Sequence, residues 1–198
     1  MISAIILAAG ESTRMGADNK LLLPFGPQPL IGHIAQTVLV SEADEVIVVL
    51  GHQADRVREA LAAYDVAFAH NPRYREGMTT SIQAGVQAAS TEAAGFMICL
   101  SDLPMIEPAE LNQVMATFRE AVRQDARHII RPVYQGRPGN PVIFSAHYKP
   151  AILAHQDLQG CRRIVQQNRA LVINVEMATN HVLRDVDTPD AYRALASD

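Results

Sequence analysis

Short apolar runs alternate with helix-length segments along the whole chain, and this alternation limits the folds open to it. Strand-like runs lie at residues 4–7, 45–50, 66–69, 96–100, 128–132 and 171–175. Helix-length segments lie near residues 30–40, 54–63, 79–89, 108–122, 148–155 and 160–168. Because the strands are continuously apolar, the pattern predicts a mostly parallel sheet with helices on both faces, a three-layer α/β sandwich. Residues 1–198 contain no linker, repeat or low-complexity segment, so we expect one domain.

The first apolar run ends in a loop of small residues, where a sheet of this kind binds its ligands. Alanine and glycine let backbone N–H groups approach a phosphate chain closely. Arg14 and Lys20 then add the positive charge that a triphosphate needs. The spacing matches neither G-x-x-x-x-G-K-[ST] nor G-x-G-x-x-G, so the two common phosphate loops are disfavoured. The residues expected to bind the nucleotide here are Leu7, Ala8, Ala9, Gly10, Ser12, Arg14 and Lys20, joined by Asp102 after a later strand.

A carboxylate follows the apolar run at residues 96–100. Asp102 comes directly after this strand, and Pro104 prevents the chain from curling at once into a helix. A carboxylate at a strand end lies in the ligand crevice, where its oxygens can bind a hard cation such as Mg²⁺. Asp102 is therefore our candidate metal ligand.

The string LAAGESTRMG at residues 7–16, followed by Lys20, resembles the signature L-A-A-G-x-S-x-R-M-G, then lysine, of the nucleotidyltransferases with a MobA-like fold. Further motifs follow in that family's order as far as Asp190. The resemblance implies a Rossmann-like fold of the nucleotide-diphospho-sugar transferase type, with Arg14, Lys20 and Asp102 as catalytic residues. The closing string DVDTPD at residues 185–190 implies a second carboxylate for the metal, from Asp187 or Asp185, with Asp187 slightly favoured.

Residues 70–81, HNPRYREGMTTS, resemble the family segment N-P-x-[YW]-x-x-G-[ML]-x-x-S, which lies over the base and ribose of the nucleotide. The resemblance implies nucleotide contacts from Asn71, Gly77 and Ser81. N–H groups at a helix start and the Ser81 hydroxyl are suitable donors.

Two later strings concern the acceptor substrate. Residues 134–144, YQGRPGNPVIF, resemble the Gly-x-Pro-Gly-His-Pro-Val segment of the cytidylyltransferases that modify the molybdenum cofactor, with Asn140 in place of the histidine. The string QGCRR at residues 159–163 echoes a Gly-Asp-x-Gly-Ala-Arg string of many relatives, although Leu158 stands where the aspartate would be. These resemblances imply acceptor contacts from Gly139, Asn140 and Arg162.

The resemblance implies Mg²⁺-dependent transfer of CMP from CTP to the terminal phosphate of molybdopterin-bound molybdenum, with release of pyrophosphate. The chain has no Ser-His-Asp or Cys-His arrangement, so no covalent intermediate is expected. Ala9 replaces a glycine of the guanylyltransferase relatives, which favours CTP over GTP. A molybdoenzyme or its chaperone is an implied transient partner.

Three alternatives remain open. A related transferase could use GTP or another phosphorylated acceptor. A non-catalytic chaperone could hold the cofactor, although pure binding has less need of Arg14, Lys20 and Asp102. A dinucleotide-dependent oxidoreductase is the third class, disfavoured because G-x-G-x-x-G is missing.

The composition of the chain limits the cellular location and the classes of binding partner that we expect. With 17 Lys and Arg against 21 Asp and Glu, the net charge is −4, which disfavours a nucleic-acid partner. Cys99 and Cys161 lie far apart and suit a reducing cytoplasm. No apolar stretch approaches the roughly 20 residues of a membrane helix, and the N-terminus lacks the features of a signal peptide. We therefore expect a cytoplasmic protein without a membrane partner; its oligomeric state remains open.

Overall fold

A central sheet with helices on both faces forms the protein, in a computed structural model that describes residues 1–12, 19–186, 188, 190, 192 and 193. The strands are β1 (Ile2–Ala8), β2 (Pro24–Phe25), β3 (Gln28–Pro29), β4 (Glu45–Leu50), β5 (Ala67–His70), β6 (Gly95–Leu100), β7 (Ile129–Tyr134), β8 (Arg137–Pro138), β9 (Val142–Ser145) and β10 (Val172–Glu176). The α-helices are α1 (Leu30–Val40), α2 (Ala54–Ala60), α3 (Met78–Ala88), α4 (Pro108–Gln124), α5 (Lys149–Leu153) and α6 (Arg162–Gln167). Single turns of 3₁₀ helix lie at Lys20–Leu22, Tyr74–Glu76, Ala146–Tyr148, Arg169–Leu171 and His181–Leu183.

The sheet is mostly parallel, as predicted. Its order is β10-β7-β9-β6-β1-β4-β5, with β8 paired to β7, while β2 and β3 form a separate hairpin. Strand β1 runs parallel to both β4 and β6, whereas β9 lies antiparallel between β6 and β7. The chain proceeds outward from β1 through β4 and β5 and then returns to place β6 on the other side of β1. This reversal creates a crevice beyond the carboxyl ends of β1 and β6, where open α/β sheets bind ligands.

Two hydrophobic clusters cover the opposite faces of the sheet. Alternate residues of β1 enter each cluster, for example Ile6 on one face and Ile5 on the other. The first cluster includes buried side chains of α1 and α4, and the second includes buried side chains of α3, α5 and α6. The three predicted layers are therefore present.

Local signals account for where two of the helices begin. Helix α4 starts with Pro108 in its first turn, and Glu107 and Glu110 form a reciprocal capping box. Helix α3 starts after Gly77, whose φ of +111° favours glycine. A Cβ on Gly77 would also lie 2.6 Å from the carbonyl oxygen of Leu158. None of the helices in the described part of the chain is long and apolar enough to cross a bilayer.

Candidate active site

A cleft opens at the carboxyl ends of β1 and β6, and we call it the first cleft. Its lining residues are Leu7, Ala9, Gly10, Glu11, Ser12, Lys20, Leu21, Tyr74, Arg75, Gly77, Met78, Ser81, Leu100, Ser101 and Asp102. Leu7 pairs with Leu100 in the sheet, and the Ser101 hydroxyl donates a 2.6 Å hydrogen bond to the Leu7 carbonyl. The small-residue loop and the Asp102 strand end are thereby fixed side by side. The predicted phosphate loop and the candidate metal ligand thus lie in one cleft.

Lys20 and Asp102 form an ion pair inside this cleft. The Lys20 Nζ lies 2.9 Å from Asp102 Oδ2, and the two side chains are only 13% and 21% exposed. Lys20 begins a 3₁₀ turn that is capped by Asn19, whose side chain accepts a hydrogen bond from the N–H of Leu21. The cap directs the lysine into the cleft, 82 residues away in sequence from its carboxylate partner.

The second carboxylate oxygen of Asp102 suits a cation. Asp102 Oδ1 is buried and has no hydrogen-bond partner among the described residues. A buried carboxylate oxygen without a donor is costly, and a hard divalent cation is a fitting ligand for it. Within the described ranges, no group of three or more His, Cys, Asp or Glu side chains is positioned to hold a metal ion. The second carboxylate that the resemblance implies, Asp187 or Asp185, belongs to the chain's closing motif.

That motif approaches Asp102 through the backbone. The N–H of Val186 donates a 2.8 Å hydrogen bond to the Asp102 carbonyl, and residues 184–186 form no strand. Asp185 is exposed and lies outside the lining of the first cleft. Asp187 and Arg14, both predicted as site residues, lie outside the described residues.

Ala9 lines the cleft but is almost covered by protein. Its relative exposure is 2%. A Cβ placed on Gly51 would lie 2.8 Å from the Ala9 Cβ and 2.7 Å from the Tyr74 Cβ, so Gly51 allows these three residues to pack closely. The Ala9 methyl group therefore offers little surface to a base, and the argument from Ala9 for CTP over GTP loses most of its physical support.

Asn71 organises the cleft wall from behind. It is buried and absent from the lining, as is Ala8. Its side-chain amide donates to the hydroxyls of Thr80 and Ser81, at 2.9 and 3.0 Å. Ser81 and Gly77, for which nucleotide contacts are predicted, line the cleft. Asn71 is thus placed to orient Ser81 rather than to face a ligand.

An ion pair crosses the cleft between its two loops. Arg75 Nε lies 3.1 Å from Glu11 Oε1, and the Arg75 guanidinium stacks over the Tyr74 ring at 5.5 Å. The hydrogen bond that Arg75 donates to the Glu11 carboxylate is the main cause that raises the pKa of Arg75. Neither Glu11 nor Arg75 was predicted as a site residue, although both fall inside the motifs that identified the loops.

A second cleft adjoins the first, and the two share Met78 and Leu100. It contains all three predicted acceptor residues, Gly139, Asn140 and Arg162. Apolar side chains form much of its lining: Ile82, Ile98, Val142, Phe144, Val165 and Val172. Its polar lining includes Arg131, Arg162, Arg169, Asn140, Gln159, Gln166 and Asn174, and no acidic residue is among the described residues that line it. This cleft suits an anionic ligand with an apolar or flat part.

Gly139 is required by close packing within the second cleft. A Cβ on Gly139 would lie 2.7 Å from the carbonyl oxygen of Val182. The next residue, Asn140, donates its N–H to the same carbonyl at 3.1 Å. Gly139 and Asn140 are therefore held against the 3₁₀ turn His181–Leu183, which ends three residues before Val186.

Arg131, Arg169 and Asn174 were missed by the sequence analysis. Arg131 and Asn174 are register partners on β7 and β10, and the Arg131 guanidinium donates to Asn174 Oδ1 at 2.9 and 3.2 Å. An arginine inside an otherwise apolar strand was the signal that could have found this pair.

The family model of the MobA-like NTP transferase domain matches residues 4–172, which include the Gly10 loop, Lys20 and Asp102. The chain belongs to the MobA-like NTP transferase family. This membership confirms the resemblance drawn from the N-terminal motif, and it identifies the chain as a protein of the nucleotidyltransferase type.

Two curated relatives of this MobA-like chain have different activities in their names. Nicotine blue oxidoreductase of Paenarthrobacter nicotinovorans is 29% identical, over 98% of this chain and 96% of the relative. Molybdenum cofactor cytidylyltransferase of Escherichia coli K12 is 28% identical, over 96% of this chain and 93% of the relative.

Solved structures agree with the family assignment. A nucleotidyl transferase from Methanothermobacter has a TM-score of 0.85 at 24% identity, covering 100% of this chain and 96% of that chain, and therefore supports the fold. Rv0371C of Mycobacterium tuberculosis H37Rv, in complex with manganese, has a TM-score of 0.77 at 26% identity, covering 100% of this chain and 98% of that chain. Both solved structures thus align over the full length of this chain.

Proposed function

We propose that the chain transfers CMP from CTP to the terminal phosphate of a molybdopterin-type cofactor and releases pyrophosphate. The observation that carries the proposal is the junction of the two clefts at Met78 and Leu100. One cleft combines a small-residue loop with a lysine and a carboxylate, and the other combines arginines with an apolar surface. A nucleotide donor and an anionic acceptor could meet at such a junction.

The first cleft fits the donor. Around Gly10 a Cβ would meet nothing within 4 Å, so the loop leaves room for a phosphate chain beside its backbone. Lys20 would neutralise the charge that builds on the departing pyrophosphate, and we assign the same task to Arg14. The side chains of Tyr74 and Ser81 border the part of the cleft expected to hold the base and ribose.

The second cleft fits the acceptor. Its arginines, Arg131, Arg162 and Arg169, would bind an anionic group, and its apolar side chains would cover a ring system such as a pterin. The acceptor phosphate would attack the α-phosphorus of CTP in line. The bond from that phosphorus to the bridging oxygen of pyrophosphate would then break, without a covalent enzyme intermediate.

Asp102 is the residue that would hold Mg²⁺, with Asp187 or Asp185 as a second ligand, and the bound ion would neutralise phosphate charge. The buried Oδ1 of Asp102, which has no hydrogen-bond partner in the described part of the chain, supports this assignment. The relative solved with manganese supports it as well, since that protein also belongs to the structural neighbours of this chain.

The test offers radiolabelled CTP, GTP and ATP, each with molybdopterin-bound molybdenum and Mg²⁺, and measures pyrophosphate release. We expect release with CTP and the cofactor together, and little with either substrate alone. Pyrophosphate release with GTP instead of CTP would mean that the donor nucleotide is GTP, while the assignment of a nucleotidyltransferase would remain. No release with any triphosphate would contradict the proposal.

A second candidate is a dinucleotide-dependent oxidoreductase, because a 29% identical relative over 98% of the chain is named nicotine blue oxidoreductase. An apolar second cleft lined with arginines could also accept a flat oxidised substrate. Titration with reduced nicotinamide dinucleotides separates the two candidates. Tight dinucleotide binding, oxidation of the nicotinamide by a flat acceptor, and no pyrophosphate release would favour the oxidoreductase.

A further inference from the structure

Lys20 forms an ion pair with one oxygen of the Asp102 carboxylate, which is also the proposed metal ligand. Its Nζ lies 2.9 Å from Asp102 Oδ2, while Asp102 Oδ1 is buried without a hydrogen-bond partner among the described residues. The side chains are 13% and 21% exposed, so water and salt screen this pair only weakly. A divalent ion on the same carboxylate would lie within a few ångströms of the ammonium.

We propose that Lys20 competes with the divalent cation for Asp102, and that a nucleotide triphosphate relieves this competition by drawing the ammonium onto its phosphates. Metal and triphosphate then bind cooperatively. The inference rests on the proposed function only in taking the first cleft as the triphosphate site. It concerns the order and coupling of binding, which the nucleotidyl transfer reaction does not by itself fix.

Charge repulsion provides the coupling. An ammonium and a divalent cation on one carboxylate repel each other, and the repulsion is strong where the local dielectric is low. A triphosphate carries enough negative oxygens to bind both cations in separate positions. Binding of either ligand therefore favours binding of the other by the same factor, as thermodynamic linkage requires.

The short 3₁₀ turn makes such a displacement feasible. Lys20 is the first residue of Lys20–Leu22, and the turn itself is held by Asn19 and by the buried Leu21. Its backbone can remain in place while the four-carbon side chain turns from Asp102 to a phosphate within the same cleft. Asp102, by contrast, is held on both sides, by Ser101 on Leu7 and by its own carbonyl on Val186.

The experiment measures binding of Mn²⁺ alone to the full chain by the loss of the free-ion signal in electron paramagnetic resonance. The variants are Lys20→Met, Lys20→Arg and Asp102→Asn, with the double variant Lys20→Met/Asp102→Asn. Lys149→Met is the matched control, because Lys149 is the only other lysine and its removal changes the net charge equally. Lys149 lies over the Phe96 ring and outside both clefts.

We expect Lys20→Met to bind Mn²⁺ more tightly than the wild type by a factor within the roughly 5- to 150-fold range of site couplings. Lys149→Met and Lys20→Arg should stay close to the wild type. The gain should disappear in the double variant, since it depends on the Asp102 carboxylate.

A second arm adds non-hydrolysable analogues of CTP, GTP and ATP. The wild type should then bind Mn²⁺ more tightly, beyond what the analogue binds in solution, and Lys20→Met should gain much less. Unchanged or weaker Mn²⁺ binding by Lys20→Met without nucleotide would overturn the competition. A gain that persists in the double variant would also overturn it, because the effect would then bypass Asp102.

The outcome is separable from that of the proposed function. The Mn²⁺ arm uses no acceptor and no catalysis, so a chain that fails to transfer CMP still reports on Lys20 and Asp102. Cooperativity with the GTP analogue alone would support the competition while contradicting the choice of CTP. If no triphosphate tightens Mn²⁺ binding to the wild type, the coupling is wrong.

Discussion

The backbone N–H of Val186 donates a 2.8 Å hydrogen bond to the carbonyl oxygen of Asp102. Val186 is fully buried, so this contact anchors the closing motif at the end of β6. The described residues 184–186 of this closing segment are thereby held beside the candidate metal ligand. Because this hydrogen bond joins backbone atoms, it does not depend on which side chains lie at residues 102 and 186.

Asp102→Asn should lower turnover about a hundredfold or more, because one preorganised charge contact is commonly worth 10²–10³ in rate. Asparagine has nearly the same shape, so the circular dichroism spectrum and the unfolding midpoint should stay close to those of the wild type. Pyrophosphate release under saturating CTP is the measurement. Normal turnover in the folded variant would remove Asp102 from the metal site.

The second carboxylate is assigned by comparing Asp187→Asn with Asp185→Asn. We expect the larger loss of turnover from Asp187→Asn, since Asp185 is exposed and lies outside the first cleft. The same assay with varied Mg²⁺ gives the metal dependence of each variant. The reverse order would transfer the role to Asp185.

Local sequence signals were sufficient for the helices and the parallel strands. The helix predicted at residues 108–122 is observed as Pro108–Gln124. Its start was predictable because the proline and both capping-box residues, Glu107 and Glu110, lie within four consecutive residues. Strand β9 shows the limit of such signals. It begins within the predicted acceptor segment, residues 134–144, and its antiparallel position depends on distant partners, Phe96 and Ile129, which pair with Phe144.

The site was predictable where one short motif supplies it. The small-residue loop follows β1 and Asp102 follows β6, so their meeting follows from the parallel pairing of these two strands. The role of Asn71 was not predictable in this way, because a polar residue in a motif can face the ligand or hold its neighbour. Only the fold shows that its amide is committed to Thr80 and Ser81. Arg131 and Asn174 likewise meet only through the pairing of β7 with β10.

Gly51→Ala should damage the first cleft although Gly51 lies outside its lining. The added methyl group would lie 2.7 Å from the Tyr74 Cβ and 2.8 Å from the Ala9 Cβ, and overpacking of this kind typically costs about 1–3 kcal/mol. We expect a lower free energy of unfolding in urea and a higher KM for the nucleotide.

Gly10→Ala is the contrasting variant, because a Cβ at Gly10 meets no protein atom within 4 Å. It should leave the free energy of unfolding nearly unchanged while weakening triphosphate binding, measured by calorimetric titration. Equal destabilisation by the two substitutions would contradict the packing argument.

Glu110→Gln should loosen the contact between α4 and the 3₁₀ turn His181–Leu183. The carboxylate accepts from the Thr179 hydroxyl at 2.6 Å and from the Glu107 N–H at 2.8 Å, and it lies 3.1 Å from His181 Nδ1. Glutamine has one accepting oxygen where glutamate has two, so one of these hydrogen bonds is lost and we expect the free energy of unfolding to fall by about 0.5–1.5 kcal/mol. Glu120→Gln, on the exposed part of the same helix, is the control. If both variants lose the same amount, the Glu110 contacts are not stabilising.

The two thiols should react slowly and make stability fall at high pH. Burial raises the pKa of Cys99 and of Cys161 to about 12 each. Because the thiolate is the reactive form and an unfolded thiol ionises near pH 8.5, labelling of the native protein at pH 8 should be about a thousandfold slower than labelling in urea. The thiols of the folded protein stay protonated to a higher pH than those of the unfolded chain. Their contribution to the free energy of unfolding is therefore complete below about pH 8.5 and is lost as the pH rises toward 12. Fast labelling of the native protein at pH 8 would contradict the burial of both thiols.

Arg131→Met should weaken acceptor binding and leave the nucleotide alone. Arg131 lines the second cleft and is absent from the first, and methionine keeps its apolar stem while it removes the charge. A hydrogen bond to a charged group contributes about 1.5–3 kcal/mol, so we expect a rise of roughly 10- to 150-fold in the KM for molybdopterin-bound molybdenum. The KM for CTP, from the same pyrophosphate assay with saturating acceptor, should change little. Arg163→Met is the matched control, because Arg163 is exposed on α6 and lies outside the lining of both clefts. If Arg131→Met raised the KM for CTP and left that for the cofactor unchanged, the two clefts would have been assigned to the wrong substrates.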